Sequence, residues 1–240
     1  KQIFNDVWRL ERDFFYDEKM HGVDWNAMRT RYGALIDDAV TRWDVNYVIG
    51  ELIGEINASH TYRGGGDSPS ALRKGVGYLG INWGLKDGAY YVQKIIKGAP
   101  WDSEIRSSLD VAGLKIKEGN FILAVNNVPM NVSKDPWAAF EGLDKGTIEL
   151  TVNSSASTTG SWKVLVDPME DETRLRNLEW IESNRKRVDE ATNGKVGYVY
   201  VPSTGVEDGQ YELVRMFYPQ HNKPGMIVDE RFNNGGQIPD

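Results

Sequence analysis

Residues 110–128 read DVAGLKIKEGNFILAVNNV. Gly119-Asn120 makes a corner, Phe121 to Val125 an unbroken apolar run, and Asn126-Asn127 a turn pair. An apolar run this short, bounded by turn residues on both sides, reads as a strand that buries both faces. The same period extends outward from it. Val76 to Trp83 and Ala89 to Ile96 read as strands joined at Asp87-Gly88. Residues 135–143 suit a short helix. Ile148 to Val152 and Trp162 to Val166 read as two more strands, with the Ser/Thr-rich tip Asn153 to Ser161 between them. Residues 75–168 are therefore expected to form a small, mostly β domain, a barrel or sandwich.

On the N-terminal side the period changes to that of helices. Ile3, Phe4, Val7, Trp8, Phe14 and Phe15 predict an amphipathic helix over 2–19. Asp24 can cap a second helix through Trp25, Met28, Tyr32, Leu35 and Ile36. Asp44 can cap a third through Val48, Ile49, Leu52, Ile53 and Ile56. Residues 1–66 thus read as a helical subdomain, and Gly64 to Pro69 as a linker. On the C-terminal side, Leu175, Leu178, Ile181, Val188 and Ala191 predict a helix stopped by Asn193-Gly194. A strand over 196–201, a helix over 209–218 and an apolar strand at Met226 to Val228 follow. Strand, helix, strand with both strands apolar points to a buried parallel sheet over 169–240. Two strands cannot cover such a sheet, so it is expected to be completed by residues outside this sequence or by another chain. The fold class is multi-domain α+β.

The 240 residues carry a net charge of −7 and no cysteine. No basic stripe offers a nucleic-acid surface; Arg185, Lys186 and Arg187 read as a solvated helix face. Disulfides, thiolate metal sites and cysteine nucleophiles are excluded. The longest apolar run, Phe121 to Val125, is far short of the roughly 20 residues a bilayer span needs. Cytoplasmic and periplasmic compartments both remain open.

Few residues suggest chemistry. His60, in GEINASHTY at 54–62, has the acid–base range of a general base, although a histidine near a helix end also favours the helix dipole. His21 and His221 look blander, and no histidine pair has metal-ligand spacing, so no metal or other cofactor is expected. RFNNGG at 231–236 follows directly on an apolar strand. Its backbone N–H groups could hold an oxyanion, or the segment is a plain turn. A phosphate cradle fits less well, since no P-loop lysine follows. Gly77, Tyr78, Leu79, Gly80 and Ile81 form a glycine-bounded loop entering a strand. Consecutive N–H groups there could capture a peptide's terminal carboxylate; the plain alternative is a strand start.

Together these stretches carry a resemblance. Residues 110–128 resemble the GLKxGDxILAVNG pattern of PDZ domains in proteases, with Asn120 for the usual Asp and Asn127 for Gly. Residues 77–81 look like the PDZ carboxylate-binding loop, offset from its usual form. GEINASHTY, EWIESNRKRVDEATNGKVGYVYVP at 179–202 and IVDERFNNGG at 227–236 are similar to the tricorn protease family of tail-specific serine peptidases. The resemblance covers essentially the whole chain. It implies a helical subdomain, a PDZ domain and the start of a crotonase-like α/β subdomain. By the same resemblance His60 is the general base, Ser59 part of its charge relay, and Gly235 or Gly236 an oxyanion donor. Asn234 stands where the family has Gly or Pro, which leaves open which of the two N–H groups serves.

The family's nucleophilic serine, a second oxyanion donor and a relay glutamate lie farther along its chains. Ser68 and Ser203 do not occupy the nucleophile's position. The implied activity is peptide hydrolysis through an acyl-enzyme on peptides or unfolded proteins. The PDZ domain would bind or gate the substrate, and homo-oligomerisation is left open. One rival is a non-catalytic module that binds C-terminal peptides, its flanks serving as scaffold. Another, ranked lower, is a crotonase-fold enzyme acting on thioesters, because such enzymes lack a PDZ insertion.

Overall fold

The structure, a computed structural model, describes residues 1–67 and 70–236; Ser68 and Pro69 of the expected linker lie outside them. The chain divides into two compact units, Lys1–Arg73 and Lys74–Asp240.

The first unit is helical: α1 Gln2–Phe14, α2 Trp25–Leu35 and α3 Arg42–Gly54. Phe4, Trp8, Trp25, Val48, Ile49, Leu52 and Ile56 form its core. Two indoles lock it, since Trp8 Nε1 donates to Trp25 O and Trp25 Nε1 to Trp8 O, each at 2.8 Å. Buried indole N–H groups need such partners. Asp24 caps α2 as expected, accepting from Ala27 N at 2.9 Å.

Two expectations shift. The first helix ends at Phe14 rather than at 19, because Phe15 is extended and Asp17 accepts from the N–H groups of Lys19 and His21. That local turn outcompetes another helical turn. The third helix is capped by Thr41, not Asp44. Asp44 sits three residues in and completes a capping box, accepting from Thr41 N at 2.7 Å. Those bonds, the one from Thr41 N foremost, hold the Asp44 carboxyl below the usual range.

The second unit begins with an antiparallel sheet ordered β1-β2-β3-β5-β6: Ile81–Lys86, Ala89–Ile95, Phe121–Val125, Ile148–Asn153 and Trp162–Val166. A short β4, Val128–Pro129, pairs β3 beyond the Asn126-Asn127 turn. Ile81, Val92, Ile122, Phe140, Ile148, Leu150 and Val152 fill one core. The expected strand over 76–83 starts only at Ile81. Val76 and Tyr78 make isolated bridges to Glu141 and Met169, and Gly80 at φ +68° breaks the run. The expected helix at 135–143 is a 3-10 turn, Pro136–Phe140, capped by Asp135.

Next comes α4, Thr173–Thr192. Asn193 closes it in the left-handed conformation, as the Asn-Gly pair predicted. Strand β7, Val196–Tyr200, pairs in parallel with β8, Gly225–Asp229, in the register Val196↔Gly225 to Tyr200↔Asp229. A π-turn at Val206–Gln210 and α5, Tyr211–Phe217, connect them. Ile181, Tyr198, Val199, Tyr200 and Met216 form a second core. β7 is buried as expected. In β8, by contrast, Ile227 and Val228 are exposed, because among the described residues this sheet has only these two strands.

Candidate active site

His60 lies six residues beyond α3, in a turn where Thr61 Oγ1 donates to Ala58 O at 3.1 Å. The chain leaves the helix through Asn57 at φ +52°, and His60 itself sits at φ +60°. A non-glycine residue there is uncommon. The ring is exposed, and its Nδ1 lies 3.2 Å from the Tyr62 hydroxyl. Nε2 has no partner among the described residues. Ser59 is also exposed, and its hydroxyl makes no bond among the described residues. The residue brought to the His60 ring is thus Tyr62, which stands two places on in the same stretch. The other histidines differ. His21 is tied at both ring nitrogens, by Tyr16 Oη and by Ile56 O, and so pins the end of α3. His221 bonds its own turn through Tyr218 O at 2.6 Å.

In the second unit, the segment 231–236 leaves the carboxyl end of β8 and packs on residues 201–205. Asn233 Nδ2 donates to Val201 O at 3.0 Å, Asn234 N to Pro202 O at 3.1 Å, and Thr204 N to Gly235 O at 2.9 Å. Gly235 N is consumed locally by Asn233 Oδ1 at 2.7 Å. Gly236, at φ +146°, lies so close to Thr204 and Gly205 that a Cβ would stand 2.4 Å from Gly205 N. Its own N–H meets no acceptor among the described residues. Ser203 is buried, and its Oγ accepts Gly205 N at 3.1 Å, so this serine is already used in the turn.

The turn's base is anchored by a group that sequence reasoning did not single out. Buried Asp229 accepts from Tyr198 Oη at 2.7 Å and from Arg231 Nε at 2.9 Å and Nη2 at 2.5 Å. The Arg231 guanidinium lies over the Trp180 ring, 4.9 Å from its centroid. Arg231 holds the Asp229 carboxyl well below the usual carboxylate range. Burial, then the Asp229 bond, raises the Tyr198 hydroxyl above its usual value. An aspartate at a strand end followed two residues later by arginine is the signal that could have flagged the pair.

The loop 77–81 is tightly built. A Cβ at Gly77 would lie 2.4 Å from Leu143 O, and one at Gly80 2.7 Å from the Leu175 side chain, so both positions need glycine for packing. Gly77 N donates to Phe140 O at 3.1 Å and Tyr78 N to Met169 O at 2.9 Å. Gly80 N donates to the Glu172 carboxylate at 3.1 Å. Leu79 and Ile81 are buried. Among the described residues no group of three or more histidines and acids could hold a metal ion, and no helix is long and apolar enough to cross a membrane.

Comparison with known proteins gives a consistent result. The tricorn protease C1 domain matches residues 1–54 and the tricorn protease PDZ domain residues 77–171. The chain is 28% identical over 237 residues to the tricorn protease of Thermoplasma volcanium, covering 99% of this chain and 23% of that protein. It is 30% identical over 240 residues to tricorn protease homolog 1 of Streptomyces coelicolor, covering 98% of this chain and 22% of that protein. The crystal structure of the tricorn protease superposes with a TM-score of 0.85 at 25% identity, over 99% of this chain and 23% of that one. The chain therefore spans less than a quarter of the length of these relatives.

Proposed function

The chain belongs to the tricorn protease family, and from that premise we propose that it is the part of a serine endopeptidase that carries the general base, the PDZ domain and an oxyanion donor. In this reading the divisions are 1–66, 75–168 and 169–240, the last opening a crotonase-like subdomain completed outside this sequence. The substrate is an unfolded protein or peptide, and no cofactor is needed.

The observation that carries the proposal is that Gly236 N–H, beyond the carboxyl end of a parallel strand, meets no acceptor among the described residues. Sites in such sheets form outside strand ends. A preorganised N–H there can hold the negative oxygen of a tetrahedral intermediate without reorganising in the transition state. The 201–205 segment and the Asp229–Arg231 pair provide that rigidity. Because Gly235 N is spent on Asn233, Gly236 is the donor and Gly235 shapes the turn.

His60 supplies the proton transfer. With Nδ1 protonated and donating to Tyr62 Oη, Nε2 is free to accept a serine's proton and later return it to the leaving amine. A relay role for Ser59 rests on the family resemblance alone, since its hydroxyl makes no bond among the described residues. The serine itself is supplied by residues outside this sequence. In the full-length protein, His60→Ala should lower peptide turnover by about 10²–10⁴-fold with the fold intact. Unchanged turnover would remove the basis for the reading.

A further inference from the structure

Glu172 stands at the start of α4 but does not cap it. Its carboxylate reaches a backbone group 92 residues away: Oε2 accepts Gly80 N–H at 3.1 Å. The other oxygen, Oε1, accepts from Arg176 Nε at 2.7 Å. Arg176 also donates from Nη1 to Asn82 Oδ1 at 2.8 Å and from Nη2 to Ile81 O at 2.7 Å. Glu172 is 8% exposed. A carboxylate with an arginine partner thus sits on an N–H of the loop that the sequence suggested for a peptide's terminal carboxylate.

A groove of about 560 Å³ lies along β1, lined by Trp83, Leu85, Tyr90 and Trp137 and also by Glu172 and Arg176. β1 is an edge strand, bonded among the described residues only to β2. Arg176 covers that edge at Ile81 and leaves the stretch from Trp83 onward open to an added strand. An incoming carboxylate would meet Glu172 on the same N–H and the same guanidinium, and two like charges at one such seat repel. An internal segment of an extended chain brings no such charge, only backbone groups for the strand edge and side chains for the aromatic walls.

We propose that Glu172 is a specificity-determining residue. Its carboxylate takes the Gly80 N–H of the loop's carboxylate seat from within, so that the groove along β1 takes an internal segment of an extended polypeptide and turns away a free C-terminus. The inference rests on the reading of 77–81 as a carboxylate seat and not on peptide hydrolysis, so failure of the His60 test would leave it standing.

The test is a titration of this chain with a fluorescein-labelled octapeptide of alternating threonine and valine ending in phenylalanine, as free acid and as amide. Wild type should bind the two within twofold of each other, and binding neither would overturn the proposal. Glu172→Ala, which leaves Gly80 N–H and Arg176 Nε without their partner, should bind the acid at least tenfold more tightly than wild type does, with no such gain for the amide. A tenfold preference of wild type for the acid, or a folded variant without the gain, would overturn the proposal. If the variant does not fold, the amide resonance of Gly80 in wild type decides. It should respond no more to the free acid than to the amide, and a saturable shift with the free acid alone would overturn the proposal.

Discussion

Two glycine-bearing segments of the second unit look alike in sequence and differ in what meets one glycine N–H in each. Gly77–Ile81 and Arg231–Gly236 both combine glycines with a strand end, and both suggested backbone donors waiting for an anion. In the first, the N–H groups of Gly77, Tyr78 and Gly80 are already bonded, to Phe140, Met169 and Glu172. In the second, hydrogen bonds to residues 201–205 and to Asn233 hold the turn but leave Gly236 N–H without an acceptor among the described residues. Glycine licenses a close approach of the backbone; what approaches is decided by partners far away in the chain. In the loop it is the molecule's own glutamate. In the turn, the proposal gives the place to a reacting oxygen.

Substitutions at the two glycines should separate these states. Gly80→Ala should cost stability. A left-handed backbone costs about 1–2 kcal/mol for alanine and overpacking about 1–3, and a Cβ there would meet Leu175 and Ser107. A lowered urea midpoint is the expected readout, and an unshifted one would break the contrast. Gly236→Ala in the full-length protein should act on turnover: loss of an oxyanion donor costs about 10²–10³-fold in kcat. Such a loss with KM little changed supports the open turn, whereas full kcat would make both segments merely structural.

A smaller effect concerns acid. Asp229 titrates in the folded chain below its unfolded value near 3.9. Its pairing with Arg231 therefore stabilises the fold above about pH 4, and that contribution is lost as pH falls from there through the folded pKa. Asp229→Asn should flatten the dependence of the urea midpoint on pH below about 4 while lowering the midpoint at neutral pH. An acid limb as steep as in wild type would mean that the turn's base does not depend on this pair.

Much of the fold was legible because local pattern and tertiary structure agree. Phe121–Val125 and Trp162–Val166 begin and end where turn residues bracket an apolar run. The parallel pairing of β7 with β8 followed from two apolar strands around a helix. Pattern failed where a short-range competitor or a distant partner prevailed. Asp17 ends α1 early by bonding its own loop. Gly80's positive φ cuts a strand that alternation would have continued. Of the proposed site, residue type and position could mark His60 and the glycine turn only as candidates, and the family resemblance supplied their roles. Tyr62 lay in view beside His60 without a spacing rule to mark it. Glu172 was out of reach, since nothing in a helix-start glutamate announces a bond to a glycine 92 residues earlier.

The central claim is that Gly236 N–H is open among the described residues while Gly80 N–H is taken by Glu172, and residue-resolved amide hydrogen exchange on this chain tests it most directly. Gly236 N–H is expected to exchange near the rate of an unprotected amide, and Gly80 N–H to be protected by orders of magnitude under the same conditions. Protection at Gly236 equal to that at Gly80, or free exchange at Gly80, would contradict the account.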